Sequence, residues 1–274
     1  MKISRVSGVA IPPILLDFVK RELGNGNYVG MVLIDLCKAF DTVDHSILID
    51  KLRAIGFSST AWFESYLTGR SQCVEVGNKQ SDFLPITCGV PQGSILGPQL
   101  FLIYINDMCI SLDCKLSLYA DDSALLFAHK DASVIADRLS AELTRCKQWL
   151  VDNKLSLHVG KTECLVFGTK RSLKKVEDFN VTCEGTAVNR VSEVKYLGVQ
   201  LDENLSGSTH VTQVLKTCVT RLAFLYRNSS FLDFHSRKLL CGALIQPYLD
   251  YCCTSWYSGL SAHLTENSAE NDTI

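Results

Sequence analysis

The chain has 274 residues, of which 47% are hydrophobic and 20% charged, and its net charge is −2. That balance excludes disorder for most of its length, and a near-neutral total gives no bulk charge for gripping a polyanion. No apolar run approaches the ~18 residues of a membrane-spanning helix.

Charge is uneven along the chain. Acids outnumber bases between residues 30 and 169, and the balance reverses from 170 to 258. A cation site beside a polyanion surface gives that pattern, and so does chance with excesses this small. The twelve cysteines include Cys37, Cys88, Cys109, Cys146, Cys164, Cys218 and Cys241 in apolar contexts, with no Cys-x-x-Cys pair. They read as buried, reduced thiols of an intracellular protein rather than disulfides or a zinc finger. Residues 9–16 are apolar but broken by Pro12 and Pro13, so no signal peptide is expected.

In chain order, residues 14–23 have helical spacing, with Leu15, Phe18 and Val19 on one side and Gly24-Asn25-Gly26-Asn27 as the stop. Residues 28–35 form a continuous apolar run closed by Asp35, which reads as a buried central strand. An acid at the end of such a strand is costly unless paired or metal-bound. Asp41, Asp44 and His45 mark a turn into a helix over 46–55, with Gly56 as its C-cap. Phe40 is either core packing or an aromatic plate beside whatever Asp35 holds. A helix over 59–67 follows behind Ser/Ser/Thr caps. Alternation over 72–76 and 83–88 around Gly77-Asn78 predicts a hairpin. The segment Gly89-Val-Pro-Gln92-Gly93-Ser-Ile-Leu-Gly97-Pro98 then opens a helix whose apolar face carries Leu100, Phe101, Ile103, Tyr104 and Ile105. Such a loop lets a flat ligand approach the backbone, or is a plain structural turn.

Residues 116–128 read as strand, tight turn, strand, with Asp121 and Asp122 at the tip. A turn can aim both carboxylates at one point, where they raise each other's pKa unless a cation lies between them. A divalent metal is one reading, and a solvated turn is the other. Residues 132–153 form a long amphipathic helix through Val134, Ile135, Leu139, Leu143, Cys146 and Leu150. Gly160-Lys161-Thr162-Glu163 leads into a strand over 164–167. Lys170, Arg171, Lys174 and Lys175 read as a solvated loop. Strands over 181–183 and 194–201 flank a turn at Glu184-Gly185, and helices span 211–226 and 237–249. Beyond Gly259 the chain is polar and reads as frayed.

The order of these blocks resembles the reverse transcriptases of non-LTR retrotransposons, and more widely the group II intron enzymes. Leu33-Ile-Asp35-Leu-Cys-Lys-Ala-Phe40-Asp41-Thr-Val-Asp44-His45 is similar to that family's motif A, and the 89–98 loop to motif B. Tyr119-Ala-Asp121-Asp122 is similar to motif C, and Leu155-Ser-Leu-His-Val-Gly-Lys161-Thr162 to motif D. Tyr196-Leu197-Gly198 resembles the motif E turn that holds a primer end. Ile245-Gln-Pro247-Tyr-Leu-Asp-Tyr251 resembles part of the thumb-side helices. The five blocks stand in family order across residues 28–258.

The resemblance implies an α+β fold: a right-hand polymerase palm, with an antiparallel sheet backed by helices at 99–108 and 132–153, followed by a helical thumb-like segment. The implied division is a short N-terminal remnant (1–29), the palm (30–203) with partial fingers (55–90), the thumb-like region (204–258) and a polar tail (259–274). The implied activity is RNA-directed DNA polymerisation, a two-metal phosphoryl transfer onto a primer 3′ end. Its cofactor is Mg²⁺, or Mn²⁺ in its place.

By the same resemblance, Asp35 and Asp121 bridge the ions, with Asp122 adjacent and the Leu36 carbonyl assisting. Phe40 lies under the sugar and excludes a ribose 2′-OH. Gln92 and Gly93 line the incoming nucleotide, and Lys161 sits near the leaving pyrophosphate. Tyr196, Leu197 and Gly198 grip the primer. The implied partners are an RNA template, a DNA primer and deoxynucleoside triphosphates, with no membrane and the nucleus as the family's compartment. Weak, salt-sensitive nucleic-acid binding is expected through 170–258. The family's finger-borne basic residues precede motif A, and the short stretch before residue 28 offers no counterpart; no endonuclease is seen either. The alternative is therefore a truncated relic that binds nucleic acid and polymerises weakly or not at all. The polymerase order of the three acids disfavours a third reading, an interaction domain with surface acids.

Overall fold

In the computed structural model, which describes residues 11–176 and 178–257, the run Tyr28–Ile34 is the middle strand of a five-stranded sheet. Glu163–Phe167 and Asp122–His129 flank it, both antiparallel to it. Lys115–Tyr119 forms one edge and Asn189–Arg190 the other. The expected antiparallel sheet is present, with one departure: Asn189–Arg190 runs parallel to Glu163–Phe167.

Strand side chains alternate between the two faces of a sheet, and here both faces are buried. Val32, Ile34, Leu125, Cys164 and Val166 pack against Ile135, Leu139, Leu143 and Leu150 of the helix Ala132–Asp152, and on to Leu100, Phe101 and Tyr104 of the helix Leu96–Ile105. Val29, Met31, Leu126, Leu165 and Phe167 pack on the opposite side against Leu15, Leu16 and Val19 of the helix Ile11–Gly24. A strand covered on both faces needs apolar residues at every position, which is why 28–34 reads as a continuous run. The sheet and the long helix approach closely at Gly30: a Cβ there would lie 2.4 Å from Ile135 Cγ2 and 2.6 Å from Leu139 Cδ1. Lys51 ties the backing helices together, donating to Tyr104 O and to Asp107 Oδ1, each at 2.6 Å, with Trp149 on its other side.

Several predicted elements differ in detail. The 72–88 hairpin turns at Gly77-Asn78, but its ladder is broken: Glu75–Val76 pairs with Lys79–Gln80, and Ser71–Gln72 pairs with Leu84–Pro85. These strands are exposed, so no buried face dictated the alternation. The expected solvated loop at Lys170 is one helical turn, Lys170–Leu173, capped by Thr169 and anchored by buried Leu173. The segment 194–201 is two strands, Glu193–Tyr196 and Val199–Asp202, folded at Leu197-Gly198. Glu184-Gly185 closes a separate hairpin between Thr182–Cys183 and Thr186–Ala187. The helix expected over 237–249 is split into Phe234–Leu244 and Gln246–Asp250, because Pro247 has no N–H to continue the first.

All twelve cysteines are free, but only Cys146, Cys164, Cys183 and Cys218 are buried, while Cys88, Cys109, Cys241 and Cys253 are exposed. Among the described residues, no helix is long and apolar enough to cross a membrane. The polar tail beyond Gly259 lies outside the described residues.

Candidate active site at the strand ends

Asp35 is the first residue beyond the central strand, whose last pair is Ile34 with Ser123. Asp122 opens the neighbouring strand and pairs with Tyr119 across the turn Ala120-Asp121. Continuing the register past Ile34 puts Asp35 opposite Asp122, with Asp121 one residue away on the turn. Three acids from two distant stretches therefore meet at one end of the sheet. Ala120 closes the turn at φ +51°. Asp122 keeps solvent access, yet its carboxyl is desolvated on the protein side, and that raises its pKa above the ordinary carboxylate value. The charges of Asp121 and Asp35 raise it further.

This donor set suits a hard divalent cation, which prefers carboxylate oxygens and would offset the repulsion felt by Asp122. Among the described residues, no group of three or more His, Cys, Asp and Glu side chains is placed so as to hold a metal ion. An open arrangement is what Mg²⁺ commonly uses, since it is held by one or two carboxylates together with water and substrate phosphates.

The backbone after Asp35 is tied to the 156–158 segment. His158 N–H donates to Asp35 O at 2.8 Å, Cys37 N–H donates to Ser156 O at 2.9 Å, and Leu36 bridges Leu157. The short helix Val159–Lys161 follows at once, so exposed Lys161 belongs to the same edge as Asp35. Phe40 is half-buried and stacks on Phe101, with ring centroids 4.4 Å apart and planes at 28°. It packs on the core and is only partly buried.

The Gly/Pro-rich loop is fastened to this turn. Gly89 N–H donates to Val43 O at 2.7 Å, Val90 N–H donates to Phe40 O at 2.8 Å, and Gln92 Nε2 donates to Asp41 Oδ1 at 2.6 Å. Gly93 has φ +77° and open space around it. Between this loop and the 71–88 ribbon lies a cleft of about 860 Å³, whose walls include Lys38, Asp41, Arg70 and Gln92. Sequence reasoning missed Asp41, Lys38 and Arg70. Asp41 and Lys38 were visible inside motif A, but nothing local distinguishes Arg70 from any other exposed arginine.

The turn Leu197-Gly198 has φ +46° and +82° and packs under Tyr251, whose hydroxyl donates to Leu197 O at 2.8 Å. Tyr196 does not share that exposed position. It is 2% exposed, and its hydroxyl sits 3.0 Å from Ser117 Oγ on the acid-bearing hairpin. Burial raises its phenol pKa, the Ser117 bond opposes that, and the charge of Asp122 adds to it. Tyr196 lies beneath the turn, in the apolar layer with Val194 and Val199. Beside the turn, a second cleft of about 1150 Å³ opens toward Lys195, Gln200, Arg221 and Tyr248.

Comparison with known proteins identifies the family. The family described as reverse transcriptase (RNA-dependent DNA polymerase) matches residues 9–201. The chain is 26% identical over 265 residues to the RNA-directed DNA polymerase from mobile element jockey of Drosophila melanogaster, covering 92% of this chain and 28% of that protein. It is 30% identical over 270 residues to the probable RNA-directed DNA polymerase from transposon BS of the same species, covering 92% of this chain and 29% of that protein. The chain thus spans less than a third of the length of these curated relatives. Among solved structures, apo telomerase from Candida Tropicalis, truncated from its C-terminal domain, matches with a TM-score of 0.50 at 11% identity, covering 70% of this chain and 38% of that one. Similarity at that level is one of fold. With the family's pattern matched across most of its length and the acids assembled at the end of its sheet, the chain belongs to the reverse transcriptase (RNA-dependent DNA polymerase) family.

Proposed function

We propose that the strand-end acids are the polymerase centre of an RNA-directed DNA polymerase domain, which extends a DNA primer on an RNA template with deoxynucleoside triphosphates. The observation that carries this reading is the register that sets Asp35 against Asp121 and Asp122, together with the raised pKa of Asp122. In the reaction the primer 3′-oxygen attacks the α-phosphorus of the nucleotide, and pyrophosphate leaves in line. Two Mg²⁺ ions, when bound, supply charge stabilisation at the attacking and leaving oxygens. Asp35, Asp121 and Asp122 would hold them, with the Leu36 carbonyl assisting.

The remaining roles belong to the same proposal. Lys161 puts a cation on the edge that carries Asp35, suited to the charge building on the leaving pyrophosphate. The accessible part of the Phe40 ring lies under the sugar and leaves no room for a 2′-OH. Gln92, oriented by Asp41, and Gly93 line the base-pairing position of the incoming nucleotide. The turn Leu197-Gly198 supports the primer end, with Tyr196 holding it from inside. The activity for which the jockey and BS relatives are named supports the same chemistry.

The test is primer extension by the purified chain on an RNA template with Mg²⁺, beside Asp121→Asn. Slow, deoxynucleotide-dependent extension is expected, falling by at least about 10²-fold in the variant while template–primer binding persists. Extension that survives Asp121→Asn undiminished overturns the assignment.

A further inference from the structure

The helix Ala61–Leu67 carries Trp62 and Tyr66 one turn apart. Their rings lie parallel, with centroids 5.5 Å apart and planes at 6°. The Arg70 guanidinium continues the series, 5.6 Å from the Tyr66 ring centroid. Trp62 is 55% exposed, so the outer face of its indole is open to solvent. At the other end of this ladder, Arg70 forms part of the wall of the 860 Å³ cleft that runs past Lys38 to Gln92.

The charges along this path are unbalanced. No ion pair among the described residues involves Lys38 or Arg70. Glu64 is paired with Arg53 at 2.6 Å, and Asp41, which accepts from the neutral Gln92 amide at 2.6 Å, is one acid in the cleft wall against the two cations Lys38 and Arg70. An open ring face followed by cations outside any ion pair matches the chemistry of a single strand, whose bases stack on aromatic and guanidinium planes while its phosphates track positive charge. A duplex cannot use such a ladder, because its bases already stack on one another.

We infer that Trp62, Tyr66 and Arg70, with the cleft behind them, hold the unpaired RNA template as it approaches Gln92 and Gly93; this rests on the polymerase reading above. A base stacks on the outer face of Trp62, Tyr66 backs that ring from inside, and Arg70 and Lys38 meet the phosphates.

The test uses the full chain without metal or nucleotide, and measures fluorescence anisotropy of a labelled, unstructured RNA oligomer and of an abasic oligomer of the same length. Trp62→Ala should weaken binding of the RNA about tenfold and leave the abasic strand unaffected, while Trp62→Phe retains most of the affinity. Arg70→Gln should weaken both strands and make the salt dependence shallower by about 0.7 in the log–log slope. Equal RNA binding by Trp62→Ala and the unchanged chain overturns the inference, as does equal loss on RNA and abasic strand. It is also overturned if Arg70→Gln leaves RNA affinity intact and only raises the nucleotide KM in primer extension. Ladder-dependent RNA binding in a chain that extends no primer upholds the ladder as a single-strand site and removes the polymerase reading, and with it the template role, instead.

Discussion

Replacing Gly89 by alanine tests how the two loops of the active site are joined. Gly89 has φ +87°, and an added Cβ would lie 2.7 Å from the Asp41 carbonyl oxygen and 3.0 Å from its Cα and carbonyl carbon. The left-handed backbone alone costs an L-residue about 1–2 kcal/mol. The contact cannot be relieved by a rotamer, because the neighbour is backbone. That backbone is held by Gly89 N–H on Val43 O, by Val90 N–H on Phe40 O, and by His45 Nε2, 2.8 Å from Gly89 O. Loosening two of these bonds at about 1 kcal/mol each brings the total to about 3–4 kcal/mol. Gly93→Ala is the control: φ is +77°, but nothing lies within 4 Å of the added carbon, so only the backbone cost of about 1–2 kcal/mol applies. Urea denaturation of both variants should separate them by about 2 kcal/mol, equivalent to about 4–8 °C in melting temperature for a chain of this size. Because the displaced turn carries Phe40 and Asp41, Gly89→Ala should also raise the nucleotide KM. Equal stability of the two variants would refute the steric argument.

Two further substitutions probe the same turn. Asp44 caps the helix His45–Ala54, accepting from Ile47 N–H at 3.0 Å and from Lys154 Nζ at 2.5 Å. Burial opposes its ionisation, but the bonds from Lys154, Ser46 and Ile47 outweigh burial and hold the carboxyl well below the ordinary range. A depressed carboxylate stabilises the fold above its unfolded pKa of about 4 and loses that contribution as pH falls toward the folded value. Asp44→Ala should therefore cost about 1–2 kcal/mol near neutrality, with a gap to the unchanged chain that narrows below about pH 4. Denaturation at pH 7 and pH 3 reads this, and a pH-independent gap would contradict it. Phe40→Ala removes the ring stacked 4.4 Å from Phe101 and opens space beneath the sugar. It should raise ribonucleotide use relative to deoxyribonucleotide use on the order of tenfold or more, at about 1–3 kcal/mol in stability. An unchanged ratio in competitive incorporation counts against the role given to Phe40.

What could be read from sequence was local. The period of apolar residues marked the helix Ala132–Asp152, the unbroken run marked the central strand, and the Asp-Asp pair marked the hairpin tip. Misreadings arose where the deciding contact was distant or the local signal weak. An exposed ribbon between 71 and 85 left its register free of any burial pattern. The alternation over 194–201 continued through Leu197-Gly198, where the backbone reverses. Tyr196 belonged to a turn motif by its neighbours, and to the core by its packing on Ser117 and Val199.

By itself, then, the sequence determined the elements, the order of the acids and, through the matched motifs, the family, because propensity, periodicity and turn chemistry act over a few residues. Only the tertiary structure decided which groups share a site. Ladder register set Asp35 against Asp122, the bonds of Asp35 and Cys37 to the 156–158 segment put Lys161 on the same edge, and the meeting of two loops with the 71–88 ribbon put Lys38 and Arg70 on one cleft. Those placements depend on pairings between residues tens of positions apart, and no local preference encodes them.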